Sequence, residues 1–211
     1  MRQVHELLAE VAEVAHPRIL ALGDSKNIEG RICLVAEPCN GKSLPDYLGA
    51  AGIYPTFQNP QGIVRAQPSE ASRDFTPEKV QKVAREVLEA LDVAHTHGVL
   101  HLNLTPSNML LLDNGDIKVL GFGLYGSIGT QAIEMLVSAG IPPVSLGPRN
   151  VRLNTADIIS PEVHLKQEPN ARADLYAFGM SVYWLLTGLK PGANYRPPSG
   201  IVPSLNPGWD I

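Results

Sequence analysis

The run His101-Leu102-Asn103-Leu104-Thr105-Pro106-Ser107-Asn108, continued by Met109-Leu110-Leu111-Leu112, Asp113-Asn114-Gly115-Asp116, Ile117-Lys118-Val119-Leu120 and Gly121-Phe122-Gly123, decides how the rest of the chain is read. Two apolar stretches flank a polar turn built on Asn-Gly, one of the strongest short hairpin signals, so residues 109–120 read as strand, turn, strand. Pro106 and Ser107 make the preceding segment a loop. The polar side chains offered there are His101, Asn103, Thr105, Ser107 and Asn108, and no acid stands among them. An Asn amide has no basicity near neutral pH, and Gly121 has no side chain with which to ligate a cation.

Working outward, Thr76-Pro77-Glu78 starts a helix, with a hydroxyl cap, Pro at the first helical position and an acid near the positive end of the dipole. Val80, Val83, Val87, Leu88, Leu91 and Ala94 carry it on as one apolar stripe. Downstream, Asp174 to Thr187 reads as a strongly apolar helix, buried on most sides and ended by Gly188. Near the N-terminus Val4, Leu7, Leu8, Val11 and Val14 stand at helical spacing over 2–15, and His16-Pro17 ends the pattern. Ile19 to Leu22 and Arg31 to Glu37 read as a hairpin around the polar turn Asp24 to Gly30, and Lys42 to Leu48 as a short helix. Residues 52–74 read as a long surface loop; 124–159 as irregular, apart from a short helix over Ile133 to Ser138; and the Pro/Gly-rich tail 191–211 as extended.

A length of 211 residues and 44% apolar content fit a folded chain with a sizeable core. A net charge of -4 with scattered Lys and Arg gives no footprint for nucleic acid, so none is expected as a partner. No secretory signal and no apolar run of membrane-spanning length is present, so no membrane insertion is expected from this chain. Cys33 and Cys39 have neither disulfide nor metal spacing, which makes reduced thiols in the cytoplasm the simplest expectation.

The order of these elements resembles the eukaryotic-like Ser/Thr protein kinase family over nearly the whole chain. Leu100-His101 through Asn108-Met109 resembles the catalytic loop, and Gly121-Phe122-Gly123 the metal-binding turn. Val35-Ala36-Glu37 looks like the fifth strand and hinge, with Ala36 at the gatekeeper position and Pro38 to Asn40, Cys39 among them, along the adenine edge. Ser160-Pro161-Glu162 resembles the close of the activation segment, with Thr155 ahead of it. Asp174-Leu175-Tyr176-Ala177-Phe178-Gly179 resembles the start of the central large-lobe helix, and Leu186-Thr187-Gly188 its end in bacterial members. One such motif is weak; five in order are specific.

The resemblance implies an α+β, kinase-like fold: residues 1–40 form a partial small lobe and hinge, with one helix plus a short hairpin, and 41–211 a mainly α-helical large lobe, incomplete at the C-terminus. It implies that Asp174 accepts backbone N–H groups of the catalytic loop and that His101 packs beneath the metal-binding turn. It also implies lost chemistry. In the pattern H-R-D-L-x-x-x-N…D-F-G the first Asp is the base and the second holds magnesium; here they read Asn103 and Gly121. Leu102 replaces the Arg that receives an activation-loop phosphate, and Thr105 replaces the Lys or Arg that contacts the transferred phosphate. The chain begins after the segments that carry the Gly-rich loop and the ATP-pairing Lys. Leu7 stands where that Lys finds its partner Glu, with Glu6 one residue away.

A pseudokinase acting as a protein-interaction or scaffolding module is therefore expected, with protein partners and no cofactor. The alternatives are a degenerate Ser/Thr kinase, a fragment of a longer kinase, and a nucleotide sensor. In these, ATP and Mg2+ would bind through Ala36, Glu37, Cys39 and Asn108. Loss of a base alone costs about 10²–10⁴ in rate, whereas loss of metal ligation and phosphate pairing removes nearly all that drives phosphoryl transfer. His95, His97 and His101 lack a fourth ligand at zinc spacing. Asn103-Leu104-Thr105 matches a glycosylation sequon by chance, and Ser107 has no base nearby in sequence.

Overall fold

Thr76 closes the first turn of the longest helix as its sequence requires: Thr76 is extended, its hydroxyl accepts the Lys79 N–H (3.4 Å), and Pro77 sits at the first helical position. The computed structural model describes residues 11, 13–28, 31–50, 76–124, 158–165, 167–187 and 195–210. In chain order the strands are β1 (Leu22–Ile28), β2 (Arg31–Ala36), β3 (Gly41–Ser43), β4 (Met109–Leu112) and β5 (Ile117–Val119). The helices are α1 (Leu44–Ala50), α2 (Pro77–Thr96), α3 (Pro161–His164), α4 (Ala171–Thr187) and α5 (Pro198–Ile201), with 3₁₀ turns at Pro106–Asn108 and Pro207–Trp209.

Among the described residues two antiparallel sheets form. β1 pairs with β2; β3, β4 and β5 make a three-stranded sheet in that order. The Asn-Gly turn between β4 and β5 stands where the sequence places it, with Met109 opposite Val119 and Leu111 opposite Ile117. Val83, Val87, Ala90, Leu91 and Ala94 of α2 pack on Ile117 and Val119 of β5 and on Ala177 and Phe178 of α4 to form the main core.

Four expectations are corrected. Ile19–Leu22 is not the first strand: Ile19 bridges Val119 in parallel, the Leu20 N–H donates to the Val119 carbonyl (2.9 Å), and β1 runs instead through the polar residues that read as a turn. Lys42 and Ser43 do not open a helix but pair with Leu111 and Leu110. Gly41 permits that approach, since a Cβ there would lie 2.7 Å from the Leu111 carbonyl oxygen. Leu88 leaves the apolar stripe and is 42% exposed. The tail is not extended: Pro198 opens α5, Asp210 accepts the Ser199 N–H (2.8 Å) and hydroxyl (2.6 Å), and Asn206 caps the last turn through the Gly208 N–H (2.8 Å). α5 folds back on α4, and the Tyr183 hydroxyl donates to the Arg196 carbonyl (2.9 Å).

α4 begins at Ala171, three residues before the expected start, and leaves Leu175 and Tyr176 exposed. Val11 and Val14 are buried in the main core. The expectations for Val4, Leu7 and Leu8, the 52–74 loop, the helix over 133–138, Thr155 and Gly188 lie outside the described residues. No helix among the described residues is long and apolar enough to cross a membrane.

Candidate functional site

The loop from His101 to Asn108 is held from below by one carboxylate. Asp174, fully buried on α4, accepts the His101 N–H at Oδ2 (2.8 Å) and the Leu102 N–H at Oδ1 (2.6 Å), while His95 Nε2 bonds Oδ2 (2.8 Å) from the end of α2. Leu102 is the one non-Gly residue at positive φ among those described (φ 59°), a conformation that strains a branched side chain. The two bonds to Asp174 fix it there. Burial by itself would raise the Asp174 carboxyl, but the bond to His95 and these N–H groups outweigh it and hold it below the usual range.

His101 is fully buried, edge-on to Phe122 with ring centroids 4.8 Å apart. Its Nδ1 accepts the Asn103 N–H (3.3 Å), and its Nε2 lies 3.0 Å from the Leu120 carbonyl, which can only accept. The ring is therefore neutral with its proton on Nε2. Burial pushes its pKa down, against the pull of Asp174. The unfolded chain takes up a proton near pH 6.5 that this ring refuses. The stability it contributes is thus full above that value and lost as pH falls toward the lower native one. We expect the melting midpoint to drop between about pH 7 and 5 while the ring nitrogen shifts keep the neutral-tautomer pattern. Titration of the native ring at the unfolded value would contradict this arrangement.

Asn103 is buried, and among the described residues its Oδ1 has no hydrogen-bond partner; the Ser160 hydroxyl, also buried, has none among them either. Asn108 is buried too and donates through Nδ2 to the Asn103 carbonyl (2.8 Å), the structural role its loop position allows. Gly121 has φ 102° beside the His101 ring, Phe122 fills the core, and Gly123 donates its N–H to the Leu100 carbonyl (3.1 Å). The loop and the metal-turn segment are thus brought together, as their order predicts. The sequence signal G-x-G-x-x-G is met once, at Gly121-Phe122-Gly123-Leu124-Tyr125-Gly126, but this run follows β5 at the metal turn and does not precede the first strand.

Magnesium prefers hard oxygen ligands, carboxylates first. At these positions the chain supplies only the amide oxygen of Asn108 and nothing from Gly121, so the donor set does not fit that ion. At the hinge, Ala36 and Cys39 pack against a closed cluster of Leu20, Leu22, Leu110 and Leu120. The Glu37 carboxylate is taken up by Lys118 and by the Ala21 N–H (3.1 Å), and these lower its pKa. The three histidines are dispersed in their bonding: His95 to Asp174, His97 to the Val93 carbonyl (2.8 Å), and His101 to Leu120. Among the described residues no cluster suited to a metal ion occurs.

Sequence reasoning missed a second polar constellation. Glu86, in the middle of α2, is buried; it accepts the Ile117 N–H (2.8 Å) and pairs with Arg18 (3.3 Å) and Lys82 (3.1 Å). Lys82 and Arg18 also reach Asp116 (2.9 and 2.8 Å) and hold its carboxyl at about 2. A Glu flanked by Arg85 and Val87 carries no local sign of burial. The only available hint was its place among the apolar positions Val83, Val87 and Ala90.

The family model described as "Protein kinase domain" matches residues 2–198. Relatives include a probable serine/threonine-protein kinase PknB of Lactococcus lactis, 26% identical over 86% of this chain and 23% of that protein. A probable PknB of Bifidobacterium longum is 28% identical over 95% of this chain and 28% of its own length. The serine/threonine-protein kinase PknL of Mycobacterium tuberculosis is 36% identical over 54% of this chain and 26% of its own. The chain thus spans about a quarter of the length of these relatives. The crystal structure of the Mycobacterium tuberculosis PknI kinase domain superposes on the whole chain and on 72% of its own, with a TM-score of 0.61 at 18% identity. A loop held on a buried Asp, a histidine beneath a Gly-Phe-Gly turn and a match over almost every residue have one common explanation: the chain belongs to the eukaryotic-like Ser/Thr protein kinase family.

Proposed function

We propose that this chain is a catalytically inactive kinase-like domain that serves as a protein-interaction or scaffolding module. The observation that carries the reading is the loop itself: it is set by Asp174 in a well-bonded geometry, while the base position is a buried amide, Asn103, and the metal position is Gly121. A kinase needs a proton acceptor and magnesium-held phosphates at those two points, because positioning and charge stabilisation supply nearly all of its rate. On this proposal residues 1–40 act as a partial small lobe and 41–211 as the large lobe, no cofactor is required, and the partners are proteins.

Millimolar ATP with magnesium is expected to leave the melting midpoint unchanged, because a ligand shifts it only by binding the native state; at 100 times Kd that stabilisation would be about 2.7 kcal/mol. No phosphate transfer to a generic protein substrate is expected beside it. A clear upward shift together with transfer lost in Asn108→Ala would replace this reading with a degenerate Ser/Thr kinase, for which the well-formed loop around Asn108 is the favourable observation.

A further inference from the structure

The outer face of α2 forms one side of a groove of about 890 Å³, lined by Ala84, at the edge of the core, and by Arg85, Leu88, Glu89 and Asp92, and walled on the other side by Trp209 of the last 3₁₀ turn. Its apolar floor centres on Leu88, 42% exposed, with Ala84 and Trp209 beside it. Glu89 acts on the Arg18 guanidinium only at a distance, helping to raise its pKa. Arg85, Glu89 and Asp92 enter no ion pair among the described residues, whereas Lys82 and Glu86 on the neighbouring face of the same helix are paired to Arg18 and Asp116.

The order of these side chains is self-complementary. Arg85 and Asp92 are seven residues apart, two turns of helix, and share one stripe with Leu88. They lie equally far, about 5 Å along the axis, on either side of the midpoint between Leu88 and Glu89. A second α2 laid antiparallel across that midpoint brings Leu88 against its own copy. It also sets each Arg85 facing the Asp92 and Glu89 of the other helix. This is the isologous contact of a two-fold dimer, in which every pairing occurs twice. Facing helices sit about 8–10 Å apart, and the groove provides room for the interlocking side chains.

We propose that this face is a homodimerisation surface, the occupant of the groove being the α2 helix of a second copy, seated antiparallel on Leu88 and flanked by reciprocal Arg85–Asp92 pairs. It goes beyond the interaction reading above and holds whether or not the cleft takes nucleotide, because mass in solution and nucleotide binding are read separately.

Sedimentation equilibrium on the full chain tests it. The wild-type chain is expected to dimerise reversibly, and Leu88→Asp, at an exposed position that leaves the core intact, to weaken the dimer at least tenfold. Arg85→Asp alone places acids against acids, and Asp92→Arg alone places cations against cations, so each variant is expected to be monomeric. Mixed in equal amounts they restore both opposite-charge pairs, and a heterodimer is expected to form. Circular dichroism confirms that each variant is folded. A wild-type chain that stays monomeric overturns the proposal and leaves the groove to an unrelated partner. A dimer indifferent to Leu88→Asp, or single variants not rescued by mixing, overturns it in favour of another face.

Discussion

Asp174→Ala is expected to lower the unfolding free energy by about 3–5 kcal/mol, a large share of what holds a domain of this size together. Removing the carboxylate leaves the N–H groups of His101 and Leu102 buried without acceptors and takes from His95 its partner. It also releases Leu102 from positive φ, so the loop is expected to relax as well as weaken. Urea unfolding followed by circular dichroism measures the loss. If the Ala variant does not fold, Asp174→Asn, which keeps one acceptor but turns an amide donor toward an N–H, supplies the reading at about half the cost. A loss below about 1 kcal/mol would mean that the loop is held by something else.

The same carboxylate sets an acid limit. Its native pKa lies below the unfolded value of about 3.9, so its contribution is complete above that pH and disappears as pH falls through the lower native value.

The second large effect belongs to Glu86. Glu86→Ala removes the acceptor of the buried Ile117 N–H and leaves Arg18 with Asp116, and Lys82 with Asp116 and the Gly115 carbonyl, and we expect a loss of about 3–4 kcal/mol by the same unfolding measurement. Glu86→Gln retains an acceptor for Ile117 without the charge, and about half the loss is expected. Equal losses in the two variants would place the whole effect on the ion pairs, and equal stability of Glu86→Gln and wild type would place it on the single hydrogen bond.

The contrast between these two acids shows what the sequence carried. Asp174 was legible because its surroundings form a motif, and the motif states its bonding. Glu86 was not, because its burial depends on Arg18, Lys82 and the turn at Asp116 converging from three segments. Local signals did well where a structure is local: the cap at Thr76 and the Asn-Gly turn are set by a few neighbouring residues. β3 is three residues long and exists only because β4 offers it an edge, which no window of sequence contains. The polar strand β1 likewise takes its conformation from β2, overriding weak strand propensity. The tail was misread because its Pro and Gly content suggested extension, while Pro198, Asn206 and Asp210 place those same residues at caps. At the candidate site, the identities of Asn103 and Gly121 were visible from the start; that Glu37 is taken up by Lys118 and that the leucines behind Ala36 close on one another needed the third dimension.

The distance along the chain between Asp174 and the loop it holds has a consequence for the order in which the molecule is made. His101 leaves the ribosome 73 residues ahead of its acceptor, an interval of about 4–15 s at ~5–20 residues per second. Once Val119 has followed, α2 and the β4–β5 hairpin can pack on each other, while Leu102 still has nothing to keep it left-handed. The loop is therefore set after the scaffold around it, and its shape records the arrival of α4.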